Sequence, residues 1–229
     1  MTADILDENL LDDLVGHYRD HADVFTQFVE NLRILFGESS ELRPYIHSMR
    51  WRTKDPEHLR TKLRRKLAAA AAAGKTFTIT RENLFEQVTD LAGFRILHLH
   101  TTEFVKINEI ILRLLDENRY VVVEGPTART WDREYQDLFT AMGVETMESP
   151  RMYTSVHYVI EANRKTKFTG EIQVRTLAEE LWGEVDHQIN YPSPSVQMTC
   201  REQIKVLARL TSTCTRLVDS IFKSHAEKQ

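Results

Sequence analysis

The sequence predicts an α+β fold: a mixed β-sheet flanked by helices, with helical extensions at both ends. Three observations carry this. Apolar residues keep a 3.6-residue rhythm over 5–37 and again over roughly 196–226. Short apolar or period-two runs fall at 91–100, 120–125, 152–162 and 167–176. Helical patterns at 104–118 and 177–190 interrupt those runs, which makes the sheet mixed. The expected organisation is an N-terminal helical extension at 1–44, a sheet domain at 45–192 and a C-terminal helix at 193–229.

The elements follow in order. The stripe Leu10, Leu11, Leu14, Tyr18, Val24, Phe25, Phe28, Val29, Leu32 and Leu35 gives one or two helices closed by Gly37. A second helix spans 56–73, entered through Pro56 and ended at Gly74. "LAGFRILHLH" (91–100) reads as a buried strand, with Gly93 allowing a close backbone approach. "FVKINEIILRLLDEN" is an amphipathic helix and "YVVVEG" a strand. Residues 126–150 read as a long insertion with a short helix built on Trp131, Tyr135, Leu138, Phe139 and Met142. Strands at 152–162 and 167–176 join through "NRK" as a hairpin, a helix covers 177–190, and Pro192 and Pro194 break it. The last helix carries Ile204, Leu207, Leu210, Leu217, Ile221 and Phe222, a stripe for its own domain or for a second subunit.

Composition narrows the class. The chain has 229 residues, 41% hydrophobic and 28% charged, as expected of a soluble globular protein. No apolar run approaches the roughly 20 residues that span a bilayer, and the acidic N-terminus has no signal-peptide pattern. Cys200 and Cys214 fall on one helix about 21 Å apart, too far for a disulfide, so a reducing cytoplasm is expected. A net charge of −4 argues against a general nucleic-acid binder. Yet residues 43–66 hold nine Lys or Arg against two acids, which suits either a local polyanion site or a solvated basic helix.

In "TGEIQVRT" (169–176), Ile172 and Val174 point one way while Glu171, Gln173 and Arg175 line the other face. Asp90 stands at the mouth of the neighbouring strand. Taken singly, Asp90 caps a turn and Glu171 is a solvated strand residue. Together they can hold one Mg²⁺, which favours one or two carboxylates plus phosphate oxygens. Arg52, Lys54, Arg60 and Lys62 cluster at the start of a helix, a natural phosphate cradle, and Arg95 joins them from the strand. Acids for a cation and an arginine–lysine clamp are what phosphoryl-type transfer needs, though no glycine-rich phosphate loop is present. Tyr153, Ser155 and His157 share a strand face: Tyr153 suits base stacking or a core edge, His157 a phosphate contact or a buried structural role. His98 and His100 lack a third ligand close in sequence and read as structural, as do Trp182 and His187.

The set "RTKDPEHLRTKL", "DLAGFRI", "YTSVH", "EIQVRT" and "LWGEVDHQINY", in this order over about 45–192, resembles the synthetase domain of the RelA/SpoT family. The resemblance implies a nucleotidyltransferase-like fold and transfer of pyrophosphate from ATP to the 3′-hydroxyl of GDP or GTP, making (p)ppGpp. It implies that Arg52, Lys54, Lys62 and Arg95 grip ATP and that Asp90 and Glu171 hold Mg²⁺. Glu171 would also act on the acceptor hydroxyl, Tyr153 would stack on guanine, and Gln173, His157 and Arg175 would support the site.

Three departures stand out. The acceptor loop, usually close to "NGYRSLH", reads "SPRMYTSVH", so Thr154 replaces the arginine. The 126–150 insertion replaces a short basic approach to that loop. The helical stretch before the domain, about 45 residues, is too short for a hydrolase half, so none is expected, and His17, Asp20 and His21 read as helix-surface residues. The expected protein is a small single-domain synthetase, as a homo-oligomer or with an antitoxin partner. The altered loop leaves a tRNA 3′ end or an adenosine nucleotide as the alternative acceptor, and a non-catalytic nucleotide-binding module as a third reading.

Overall fold

A computed structural model of the chain describes residues 2–162, 167–190 and 197–227. The expected "NRK" hairpin turn, the breaks at Pro192 and Pro194 and the 192/193 boundary lie outside the described residues.

Helices α1 (Thr2–Asp20) and α2 (Ala22–Gly37) form separately because the chain turns at His21, whose amide donates to Tyr18 O and whose carbonyl accepts from Val24 N. Their apolar stripes, Leu14 and Tyr18 on one and Phe25, Phe28, Leu32 and Phe36 on the other, are buried. Strand β1 (Ser48–Thr53) leads to α3 (Pro56–Ala72). Asp55 caps α3 by accepting from the amides of Glu57 and His58, and Pro56 fills the first helical position. A short helix, α4 (Leu84–Gln87), precedes β2 (Ala92–His98), and α5 (Phe104–Glu117), β3 (Tyr120–Thr130), α6 (Arg133–Ala141) and β4 (Glu145–Glu148) follow. The chain then runs through β5 (Ser155–Ala162), β6 (Thr169–Thr176), α7 (Leu177–Asn190) and α8 (Met198–Ala226).

The strands form one six-stranded mixed sheet in the order β1-β2-β6-β5-β3-β4, with β2 parallel to β6, β3 parallel to β4, and the other pairs antiparallel. The α+β architecture expected from the sequence is present. Three details differ from it. Residues 50–53, expected only as the approach to a helix, are an edge strand whose central residues are solvent-exposed, so no apolar run marks it. The 126–150 segment is more than a helix. Strand β3 runs on to Thr130, α6 crosses over, and β4 returns parallel to β3, a β-α-β unit at the sheet edge. That extension passes Gly125 at φ +89, where a Cβ would sit 2.3 Å from His157 O, so only glycine allows β3 to run beside β5 there. Finally, His17 does not merely lie on the surface: it stacks on Phe85 at 4.8 Å.

The pleat divides the sheet. Phe94 and Ile96 of β2, Ile172 and Val174 of β6, and Val156, Tyr158 and Ile160 of β5 enter the main core with α1, α2 and α5. A smaller core joins Trp182 of α7 to Ile204 and Ala208 of α8, with Trp131 and Tyr153 against it. Ile204 and Leu207 of the C-terminal stripe thus pack on the domain, and Phe222 stacks on His100, whereas Leu210, Leu217 and Ile221 are exposed. No helix among the described residues is long and apolar enough to cross a membrane.

Candidate active site

Sheet register builds the site floor. Arg52 pairs with Gly93 and Gly93 with Glu171; Arg50 pairs with Arg95, Arg95 with Gln173, and Gln173 with His157. Period-two alternation therefore lays two rows on the face away from the main core, one crossing three strands and ending at Glu171, the other crossing four and ending at His157. Gly93 adds no side chain between Arg52 and Glu171, which leaves that row open. The floor opens into a cleft of about 490 Å³, walled by α7 and by the loop before β5.

Asp90, Glu171, Gln173, Arg52, Arg95, Tyr153, His157 and Arg175 all line this cleft. Behind Asp90, Lys54 Nζ lies 2.8 Å from one carboxylate oxygen and Lys62 Nζ lies 2.7 Å from the other. Burial alone would raise the Asp90 carboxyl, but the two ammonium groups outweigh it and hold the group below its usual range. Glu171 is held in the same way. Burial and the nearby Asp90 charge push it up, while His157 Nδ1 at 2.7 Å and the Gln173 amide at 2.8 Å push harder and keep it ionised. His157 is nine-tenths buried, and its Nε2 has no hydrogen-bond partner among the described residues.

The arginines are organised by acids on α7 that the sequence reading passed over. Glu180 takes Arg95 at 2.7 Å, Arg50 at 3.0 Å and Arg175, and Glu184 takes Arg95 at 3.1 Å and Arg50 at 3.2 Å. Their i,i+4 spacing puts both on one helix face, the signal that could have found them. Arg175 fits under α7 because residue 183 is glycine: a Cβ there would sit 2.6 Å from Arg175 Nη1. Arg52 and Arg151, in contrast, line the cleft with no carboxylate partner among the described residues. Tyr153 stacks against Trp182 at 6.2 Å and tilts over His157 at 5.9 Å.

Four expected site residues do not line the cleft: Lys54 and Lys62 are taken up by Asp90, and Arg60 and Ser155 lie elsewhere. Arg60 pairs with Glu8, Asp12 and Glu57 and fastens α3 to α1, because its helix position points to the acidic N-terminal helix. Ser155 is buried, donates to Val174 O at 3.4 Å and lines a separate small cavity. His98 is neutral, since burial lowers it to about 4, and it contacts His100 O.

No cluster of three or more His, Cys, Asp or Glu able to hold a metal occurs among the described residues. The donor set is two ionised carboxylates in one cleft beside unpaired guanidinium. That fits a hard divalent cation sharing its remaining ligands with phosphate oxygens and water, and does not fit an all-protein metal cage.

The family model described as the region found in RelA / SpoT proteins matches residues 51–195. The GTP pyrophosphokinase YwaC of Bacillus subtilis is 24% identical over 120 residues, a match spanning 49% of this chain and 47% of that protein. Among solved structures, a GTP pyrophosphokinase family protein from Streptococcus pneumoniae superposes with a TM-score of 0.67 at 20% identity, covering 92% of this chain and 95% of that one. The small alarmone synthetase 1 of Bacillus subtilis bound to its product pppGpp superposes at 0.52 and 20% identity, covering 95% and 97%. The chain belongs to the RelA/SpoT family.

Proposed function

We propose that the protein transfers the β,γ-pyrophosphoryl group of ATP to the 3′-hydroxyl of GDP or GTP, making (p)ppGpp and releasing AMP. The observation that carries this is the pair of ionised carboxylates, Asp90 and Glu171, in one cleft with the arginines of β1 and β2. A related synthetase bound to its product pppGpp has the same fold.

Arg52 is free to meet an incoming triphosphate, and Arg95 and Arg50 reach it by exchanging Glu184 for phosphate oxygens. Asp90 and Glu171 would hold Mg²⁺, which when bound neutralises charge on the transferred phosphates. Lys54 and Lys62 keep Asp90 ionised for that role. Tyr153, backed by Trp182, offers a ring face to a nucleobase. Glu171 would accept a hydrogen bond from the acceptor hydroxyl, while His157 and Gln173 fix the carboxylate. The acceptor oxygen bonds to the β-phosphorus, the bond to the oxygen bridging to the α-phosphate breaks, AMP carries that oxygen away, and the hydroxyl proton passes to Glu171 or solvent.

One observation favours a second reading, with a tRNA end or an adenosine nucleotide as acceptor. Thr154 is buried and turned inward, so its position supplies no cation to acceptor phosphates. Glu171→Gln tests the enzymatic reading against simple nucleotide binding. It should cut transfer at least a hundredfold while ATP affinity stays within about twofold. An unmodified protein that binds nucleotide but transfers to no acceptor would instead be a binding module.

A further inference from the structure

The loop before β5 is held from behind by a group that does not line the cleft. Glu179 on α7 is 3% exposed, and its Oε2 accepts the backbone amide of Thr154 at 3.0 Å. Thr154 is the residue after Tyr153 and stands where the related loops carry arginine. Its hydroxyl lies 2.8 Å from that of Thr130, the last residue of β3, and Ser149 donates its amide to Thr130 O. Thr130 belongs to the inserted β-α-β unit. That unit is fastened to α8 through Asp132, which caps α6 and takes Ser212 Oγ at 2.7 Å and the Arg216 guanidinium. The two departures noted in the sequence, the threonine in the loop and the insertion before it, thus meet in one contact.

Behind that contact lies a cavity of about 20 Å³, room for one water, lined by Tyr135, Ser155, Arg175 and Glu179 among others. Two buried polar atoms of its lining residues, Glu179 Oε1 and Arg175 Nε, have no hydrogen-bond partner among the described residues. Arg175 lines both this cavity and the cleft, so the back of the acceptor loop and the sheet floor share a residue.

We propose that Glu179 is a positioning residue: it fixes the Thr154 amide while Thr130 holds the Thr154 hydroxyl, and together they fix the Tyr153 ring, so that Glu179 governs acceptor binding and not ATP binding. This rests on the acceptor reading of Tyr153. Around Glu179 stand Arg175 of β6, Asp132 and Tyr135 of the α6 start and His98 of β2, with Asp219 of α8 near Tyr135. Burial above all, with Asp132, pushes the Glu179 carboxyl up to about 7 against the opposing pull of the Thr154 amide and Arg175. His98, lowered to about 4, stays neutral across that range. The ionised carboxylate holds the amide more strongly than the acid does, so anchoring tightens as pH rises through about 7.

Steady-state transfer and amide hydrogen exchange on the full chain test this, with Glu179→Ala, Glu179→Gln and Thr130→Val. Glu179→Ala and Thr130→Val should each raise acceptor KM about tenfold, leave ATP KM within about twofold, and lose protection of the Thr154 amide. Glu179→Gln should keep the protection and remove the fall of acceptor KM, relative to wild type, through pH 7. Equal changes in both KM values, or Thr154 protection unchanged in Glu179→Ala, would overturn the proposal. The exchange readout needs no turnover, so it stands even if the protein transfers to none of the acceptors tried. A variant that fails to fold is recognised by global loss of protection, and Thr130→Val with Glu179→Gln then decides.

Discussion

His157 Nδ1 lies 2.7 Å from Glu171 Oε1, joining a ring of β5 to a carboxylate of β6 on the polar face of the sheet. Gln173 occupies the other oxygen at 2.8 Å, so Glu171 is fixed from two sides. Removing the ring leaves burial and Asp90 to push the carboxyl up. His157→Phe should therefore move the acidic limb of the kcat/KM profile toward neutral pH and lower the plateau. A pH–rate series on the variant reads this directly; an unmoved acidic limb contradicts the assigned partner.

Asp90 bridges Lys54, whose side chain is 8% exposed, and Lys62. Asp90→Asn leaves Lys54 buried with no counter-charge, which should cost roughly 3 kcal/mol of stability along with activity. Thermal and denaturant unfolding measure it. The sign with pH follows from the lowered carboxyl. Its contribution is present above the ordinary carboxylate range and is lost as pH falls through the depressed value, so wild type and variant should converge in acid.

Gly183→Ala places a methyl 2.6 Å from Arg175 Nη1. The guanidinium must shift off Glu180, disturbing the ion pairs that organise Arg50 and Arg95. A loss of about 1–3 kcal/mol is expected, with a rise in ATP KM. A fully active, equally stable variant would mean the helix simply moves away.

Arg52 and Arg95 should separate in kinetics. Arg52 has no carboxylate partner among the described residues, so Arg52→Ala should raise ATP KM about tenfold with the melting temperature unchanged. Arg95→Ala strips Glu180 and Glu184 of a shared partner and should lower both affinity and stability. Calorimetric unfolding beside ATP titration distinguishes the two.

Much of this was legible in the residues. The alternation in 169–176 placed Glu171, Gln173 and Arg175 on one face, and the register brings Gly93 and Arg95 beside them. Strand β1 was not legible because its exposed arginines carry no apolar period, although "RWR" is what puts Arg50 and Arg52 on one face. Glu180 and Glu184 were missed because helix acids usually face solvent; only the sheet beneath shows that they meet three arginines. Arg60 was misplaced because clustering along a helix does not say which neighbour each cation faces. Two cations eight residues apart, Lys54 and Lys62, met at Asp90, while Arg60 between them turned to Asp12.

The most direct measurement uses ATP labelled at the γ-phosphate, incubated with the protein and Mg²⁺ against GDP, GTP, ATP and tRNA in parallel. The account predicts label in a guanosine polyphosphate, with one AMP formed per product and none from Glu171→Gln. Label in the tRNA or adenosine arm alone would replace the guanine acceptor, and folded, nucleotide-binding protein with no labelled product in any arm would contradict pyrophosphate transfer altogether.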